Sequence, residues 1–137
     1  MEIQITPNWT ISLEDGFSHR LEDEHLVLWK RGITLLTAVY RYTGEKERLA
    51  LVANLRAKAE AINAETIDEH EGELYRFGYL QPEQVQPGHT RLALHAFSTT
   101  MLGCLQTSFY LDDPNELQKA LLAWKSATWH DDEPEAA

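Results

Sequence analysis

The chain has 137 residues, with 12 Lys and Arg against 22 Asp and Glu and a formal charge of −10. That length suits one domain, and a 43% hydrophobic share places it with globular chains and not with acidic disordered ones. A field of this sign repels phosphate backbones and anionic lipid headgroups, so neither nucleic acid nor a membrane surface is expected as a partner. The lone cysteine, Cys104, excludes an internal disulfide. In the first twenty residues Glu2, Glu14 and Asp15 interrupt any apolar stretch, so no secretory signal is expected. Residues 92–111 form the longest uncharged run, but His95, Ser98, Thr99, Thr100 and Gly103 make it a poor membrane-spanning helix. A reducing cytoplasm is the simplest compartment.

In chain order, residues 9–13 alternate bulky and polar side chains between Pro7 and the turn signal Asp15-Gly16, which predicts a strand. Residues 25–31 and 33–42 form a hairpin about Gly32. The second of these strands is apolar on both faces, with Ile33, Leu35 and Val39 on one and Leu36, Ala38 and Tyr40 on the other. That pattern predicts a central strand covered on both sides. Over 45–63 the period changes. Leu51, Val52, Leu55, Ala59 and Ile62 recur at three- and four-residue spacing, and Glu45 and Glu47 sit where a helix dipole favours anions.

An acidic connection over 65–73 is expected to lead into a strand at 74–80. After it comes a loop holding Pro82, Pro87 and Gly88, then an antiparallel pair at 90–98 and 103–111. The last helix has the clearest start. Asp113 suits the N-cap, Pro114 the first helical position, and Glu116 lies three residues after the cap. Its stripe is Leu117, Ala120, Leu121, Trp124 and Ala127. The expectation is therefore an α+β domain over 1–129, followed by an acidic flexible tail over 130–137. It has a mainly antiparallel sheet of about six strands with two packed helices, in the order β-β-β-α-β-β-β-α.

A tryptophan early in the first strand (Trp9), a hairpin, a helix, a second set of strands and a C-terminal helix make a chain that resembles the PsbP-like small α/β/α superfamily. The resemblance lies in element order over nearly the whole chain. It implies an α/β/α layering and a protein that binds other proteins, as bacterial chaperones of secreted toxins do. No residue role is carried over.

Nucleotide, zinc-protease and serine-hydrolase motifs are absent, and one cysteine cannot make a Cys-rich zinc site. Histidines stand beside carboxylates at Asp23-Glu24-His25, at Asp68-Glu69-His70-Glu71 and at His130-Asp131-Asp132-Glu133. Neighbouring residues of a strand point to opposite faces and cannot easily ligate one ion, so neither a metal nor a cofactor is expected. If the two late strands turn about Thr100, Cys104 and His95 fall within a diagonal of each other, a nucleophile–base geometry. The simpler reading is a buried structural thiol. Asp112-Asp113 is explained by the helix start.

Two features point to binding. Tyr75, Phe77 and Tyr79 share one strand face; of these Tyr75 and Tyr79, with Trp29 and His95, would line a pocket between sheet and helix for a small molecule. Carboxylates cluster at Glu22, Asp23 and Glu24 and at Glu65, Asp68, Glu69, Glu71 and Glu73, segments with room to lie at one end of the sheet and meet a basic partner. The leading expectation is a non-enzymatic cytoplasmic protein-binding module, an immunity protein or secretion chaperone acting on a basic partner. The alternatives are the small-molecule or enzymatic pocket, and a homodimer or larger scaffold built through a free strand edge or sheet face.

Overall fold

The computed structural model describes residues 1–131. It is an α+β fold of ten strands, two helices and two antiparallel sheets. In chain order these are β1 (Glu2–Gln4), β2 (Trp9–Ser12), β3 (Ser18–Glu22), β4 (His25–Lys30), β5 (Ile33–Arg41), α1 (Glu45–Ala61), β6 (Glu65–Glu71), β7 (Leu74–Gln86), β8 (His89–Thr99) and β9 (Gly103–Leu111). A single 3-10 turn, Pro114–Glu116, then opens α2 (Leu117–Lys125), and β10 (Thr128–Trp129) follows. The main sheet has seven strands in the order β3-β4-β5-β9-β8-β7-β6, and a small one runs β1-β2-β10.

The sheet is larger than the six strands expected, and the four unforeseen strands lack a hydrophobic pattern for two reasons. β3 is exposed at every position, and β6 reads Glu-Thr-Ile-Asp-Glu-His-Glu. Both are borders of the main sheet, where charged residues protect an open edge and erase the alternation that marks an inner strand. β1 and β10 are three and two residues long, too short to carry a pattern. The stretch 65–73, expected as a connection, is therefore β6 and its turn, with Gly72 at a φ of 59°. Pro82 likewise lies inside β7 and not in a loop, opposite Leu92. β6 pairs β7 only as far as Leu80, so beyond that point β7 is itself an edge, where a proline is tolerated.

The chain crosses the main sheet once. β5 and β6 run parallel with β9, β8 and β7 between them, and α1 spans the gap on one face. Its end is a left-handed closure: Asn63 has a φ of 52°, the Asn63 amide donates to the Glu60 carbonyl and the Ala64 amide to that of Ala59. Under α1 lie Tyr75, Phe77, Tyr79, Phe97 and Cys104, met by Val52, Leu55 and Ala59. The opposite face is covered by α2 and the small sheet, which bury Trp9, Ile11, Leu13, Leu28, Leu35, Leu94, Leu105, Phe109 and Trp124 together. Asp113 caps the 3-10 turn, accepting from the Asn115 amide at 3.0 Å. Gly78 is where Trp124 packs: a Cβ there would lie 2.9 Å from the indole ring.

The expectation that β5 is covered on both faces needs correcting. Ile33, Leu35 and Thr37 are buried on the α2 face, but on the α1 face Leu36 is 36% and Tyr40 45% exposed. A helix of 17 residues is about 26 Å long and about 10 Å wide, so it shields roughly two strands of a sheet seven wide. Half of that face stays open.

Candidate functional site

Strand alternation and register build this open half. Across neighbouring strands one row reads Trp29, Thr34, Tyr110 and Ala93, and the next reads Val27, Leu36, Ser108, His95 and Tyr79. A third passes from Ala38 through Gln106 to Phe97, and a fourth from Tyr40 through Cys104 to Thr99 and Tyr75. α1 covers the Cys104, Phe97 and Tyr75 ends of these rows; beyond it Leu36 and Tyr40 are exposed and Trp29, Gln106 and Tyr110 half-buried, while Val27 and Ser108 between them are buried.

A chain of hydrogen bonds crosses the rows. The Tyr40 hydroxyl donates to Gln106 Oε1 at 2.8 Å, Gln106 Nε2 donates to Ser108 Oγ at 3.0 Å, and Ser108 Oγ lies 2.9 Å from His95 Nδ1. In the neutral imidazole Nδ1 and the Ser108 hydroxyl share one hydrogen bond, one donating and the other accepting. Burial lowers the His95 pKa below 6.5, with Glu83 opposing, which favours that neutral form. Tyr79 and Tyr110 flank the imidazole with ring centroids 5.2 and 5.9 Å away. At the margins two arginines lie over aromatic rings: Arg91 over Tyr110 at 4.5 Å, held by Glu83, and Arg20 over Trp29 at 4.8 Å, held by Glu22. The result is a surface of aromatic rings with polar groups held between them by hydrogen bonds.

Of the four residues expected to line a pocket, only Tyr79 and His95 meet. Trp29 lies four strands from Tyr79, and Tyr75 sits two rows away beneath α1. Tyr75 belongs to a different cluster, a cleft of about 310 Å³ between α1 and β6 that includes Arg48, His70 and Asp68. There Arg56 binds the Tyr75 hydroxyl and, at 2.8 Å, Asp68. Burial raises the Tyr75 pKa while the nearby Arg56 lowers it.

Cys104 and His95 are not diagonal neighbours. Cys104 faces Thr99 and His95 faces Ser108, which puts them about 13 Å apart along the sheet. The shift comes from Thr100, whose hydroxyl accepts from the amides of Leu102 and Gly103 and lengthens the turn. Cys104 is fully buried and its thiol is pushed up to about 12 by that burial, the behaviour of a structural cysteine.

The two acidic segments share an end of the sheet but stand at opposite borders, about 29 Å apart across six strand spacings. They also differ in charge balance. Within β6, Asp68 is paired with Arg56, Glu69 with Arg76 and Lys125, and Glu71 with Arg76, a side chain only 1% exposed. At the other border Asp23 and Glu24 form the two-residue turn between β3 and β4, both with positive φ, and Glu22 pairs with Arg20. Among the described residues no group of three His, Cys, Asp or Glu side chains gathers to hold a metal ion. Of the third His-carboxylate cluster, His130 contacts Thr10 Oγ1 through Nε2 at 3.0 Å and Asp131 accepts from Trp129 Nε1; Asp132, Glu133 and the rest of the expected tail lie outside the described residues.

Leu36, Tyr40, Gln106 and Tyr110 were not foreseen as surface residues. Their signal was present in the two apolar faces of 33–42, but an apolar face announces a covering without saying whether this chain supplies it. Compared with protein-family models, curated proteins and solved structures, the chain finds no match in any of the three. No helix among the described residues is long and apolar enough to cross a membrane.

Proposed function

We propose that this chain is a non-enzymatic cytoplasmic protein-binding module that docks a basic partner on the open half of its main sheet, in the manner of an immunity protein or secretion chaperone. The observation that carries the reading is the exposure of Leu36 and Tyr40 between half-buried aromatics on strands inside a seven-stranded sheet. Inner strands of a sheet carry such side chains where something covers them, and clustered exposed apolar groups mark interaction surfaces. Charge selects the partner. The chain carries −10, and Asp23 and Glu24 stand at the Tyr40 end of this half, next to β4 and β5. A cationic partner is drawn to such a field and orients on it.

Wild type and Leu36→Asp are to be used as bait in native lysate at low and at moderate salt. Wild type is expected to retain a basic protein, more at low salt, and Leu36→Asp to lose roughly tenfold or more of it while melting as wild type does. Equal recovery by both baits, or none by wild type, contradicts the proposal.

A further inference from the structure

Among the described residues β3 pairs on one side only, with β4, at the border of the main sheet, and all five of its residues are exposed, Leu21 at 73%. An open ladder invites another strand, and charge is the usual protection. The two borders of this sheet are protected unequally. β6 carries Glu65, Asp68, Glu69 and Glu71 and no Lys or Arg, so a second β6 beside it would set carboxylates against each other. β3 carries one cation, Arg20, and one anion, Glu22, either side of the exposed Leu21.

Two copies of one edge strand pair antiparallel about a two-fold axis normal to the sheet. Residues that oppose one another across a ladder share a face, so the axis must pass beside a residue that opposes its own copy. Centred on Arg20, the register sets guanidinium against guanidinium. Centred on His19, it opposes Ser18 to Arg20 and makes no ion pair. Centred on Leu21, it places leucine on leucine and opposes each Arg20 to the Glu22 of the other copy. Both charged side chains already lie on the face that carries Trp29: Arg20 Nε donates to Glu22 Oε2 at 2.9 Å and the guanidinium lies over the indole. The remaining guanidinium N–H groups are available to a second carboxylate.

We propose that β3 is a self-association edge, and that a second copy of this chain adds its own β3 antiparallel in the register centred on Leu21. The ladder is short and buries less than a standard interface of about 1,600 Å², so the dimer is weak and forms with rising concentration. Because the axis is normal to the sheet, the open halves of both copies face the same way and join into one platform. The proposal stands without the docking function proposed above, since it rests on the edge alone.

Cross-linking of the full chain tests it. In this register the two Leu21 Cα atoms lie about 4.5–5.5 Å apart, within reach of a disulfide. The two His19 Cα atoms, on the same face of the same strand, are about 13 Å apart and out of reach. Under mild oxidation Leu21→Cys is expected to form disulfide dimers roughly tenfold faster or more than His19→Cys. Buried Cys104 takes no part. With Leu21→Cys in place, Arg20→Glu or Glu22→Arg alone should suppress the dimer and a mixture of the two should restore it, since only the mixed pair opposes unlike charges. Equal rates for the two cysteine variants, faster linkage through His19→Cys, no linkage through Leu21→Cys, or indifference to the charge exchange overturns the proposal.

Discussion

His95 shows what a single side chain contributes on the open face. Its folded pKa lies below 6.5 because burial disfavours the imidazolium. Between the two values the unfolded chain holds more protons than the folded one, so stability is level above about 6.5 and falls as pH drops toward the folded value. Urea denaturation at pH 7.5 and 5.5 should show this loss in wild type and a smaller one in His95→Asn; equal losses would mean that His95 is not held neutral. At Cys104, iodoacetamide at neutral pH is expected to leave the native protein unlabelled, since the thiol is buried and its pKa is about 12. Gly78 has a packing role that composition hides: Gly78→Ala should cost about 1–3 kcal/mol in urea denaturation, because the new methyl meets the Trp124 ring and the His95 carbonyl. The indole that packs on Gly78 belongs to Trp124, 46 residues further along the chain, so no local pattern points to it.

Among the elements, the inner strands and both helices were legible because burial imposes a period on them. β5, β8 and β9 are rich in bulky apolar residues, and α2 announces itself through Asp113 and Pro114. The border strands were not legible, since β3 and β6 are held by backbone pairing and charge. In β6 the fixing groups come from the neighbouring strand: Arg76 bonds Glu69, Glu71 and the Lys125 carbonyl. Arg76→Met keeps most of the side-chain volume and removes these bonds. Amide exchange over β6 should then quicken by roughly tenfold while β8 and β9 stay protected. Unchanged exchange in β6 would show that backbone pairing alone holds it. The register at Cys104 departs from a turn about Thr100 for a related reason, as the Thr100 hydroxyl sets the length of the turn through local hydrogen bonds that no hydrophobic pattern reveals.

For the whole molecule, the governing fact is a mismatch in width. One face of the main sheet is roofed by α2 and the small sheet, the other by α1 alone. A crossover helix that carries the chain from β5 to the far border must lie over the strands it crosses, which leaves Leu36 and Tyr40 of β5 exposed and Trp29 and Tyr110 half-buried. The charge of −10 is likewise uneven, because the β6 acids are largely answered by Arg56, Arg76 and Lys125 whereas Asp23 and Glu24 stand in an open turn. The acidic segments were legible as binding candidates, but their separation depended on strand order, which local sequence does not encode. Hydroxyl-radical footprinting of the protein bound to its captured partner is the most direct measurement of the docking claim. Oxidation should fall at Leu36, Tyr40 and Trp29 on binding and stay unchanged at Leu49 and Leu122, which are exposed on α1 and α2. Equal oxidation of Leu36 and Tyr40 in the free and bound protein would contradict the account.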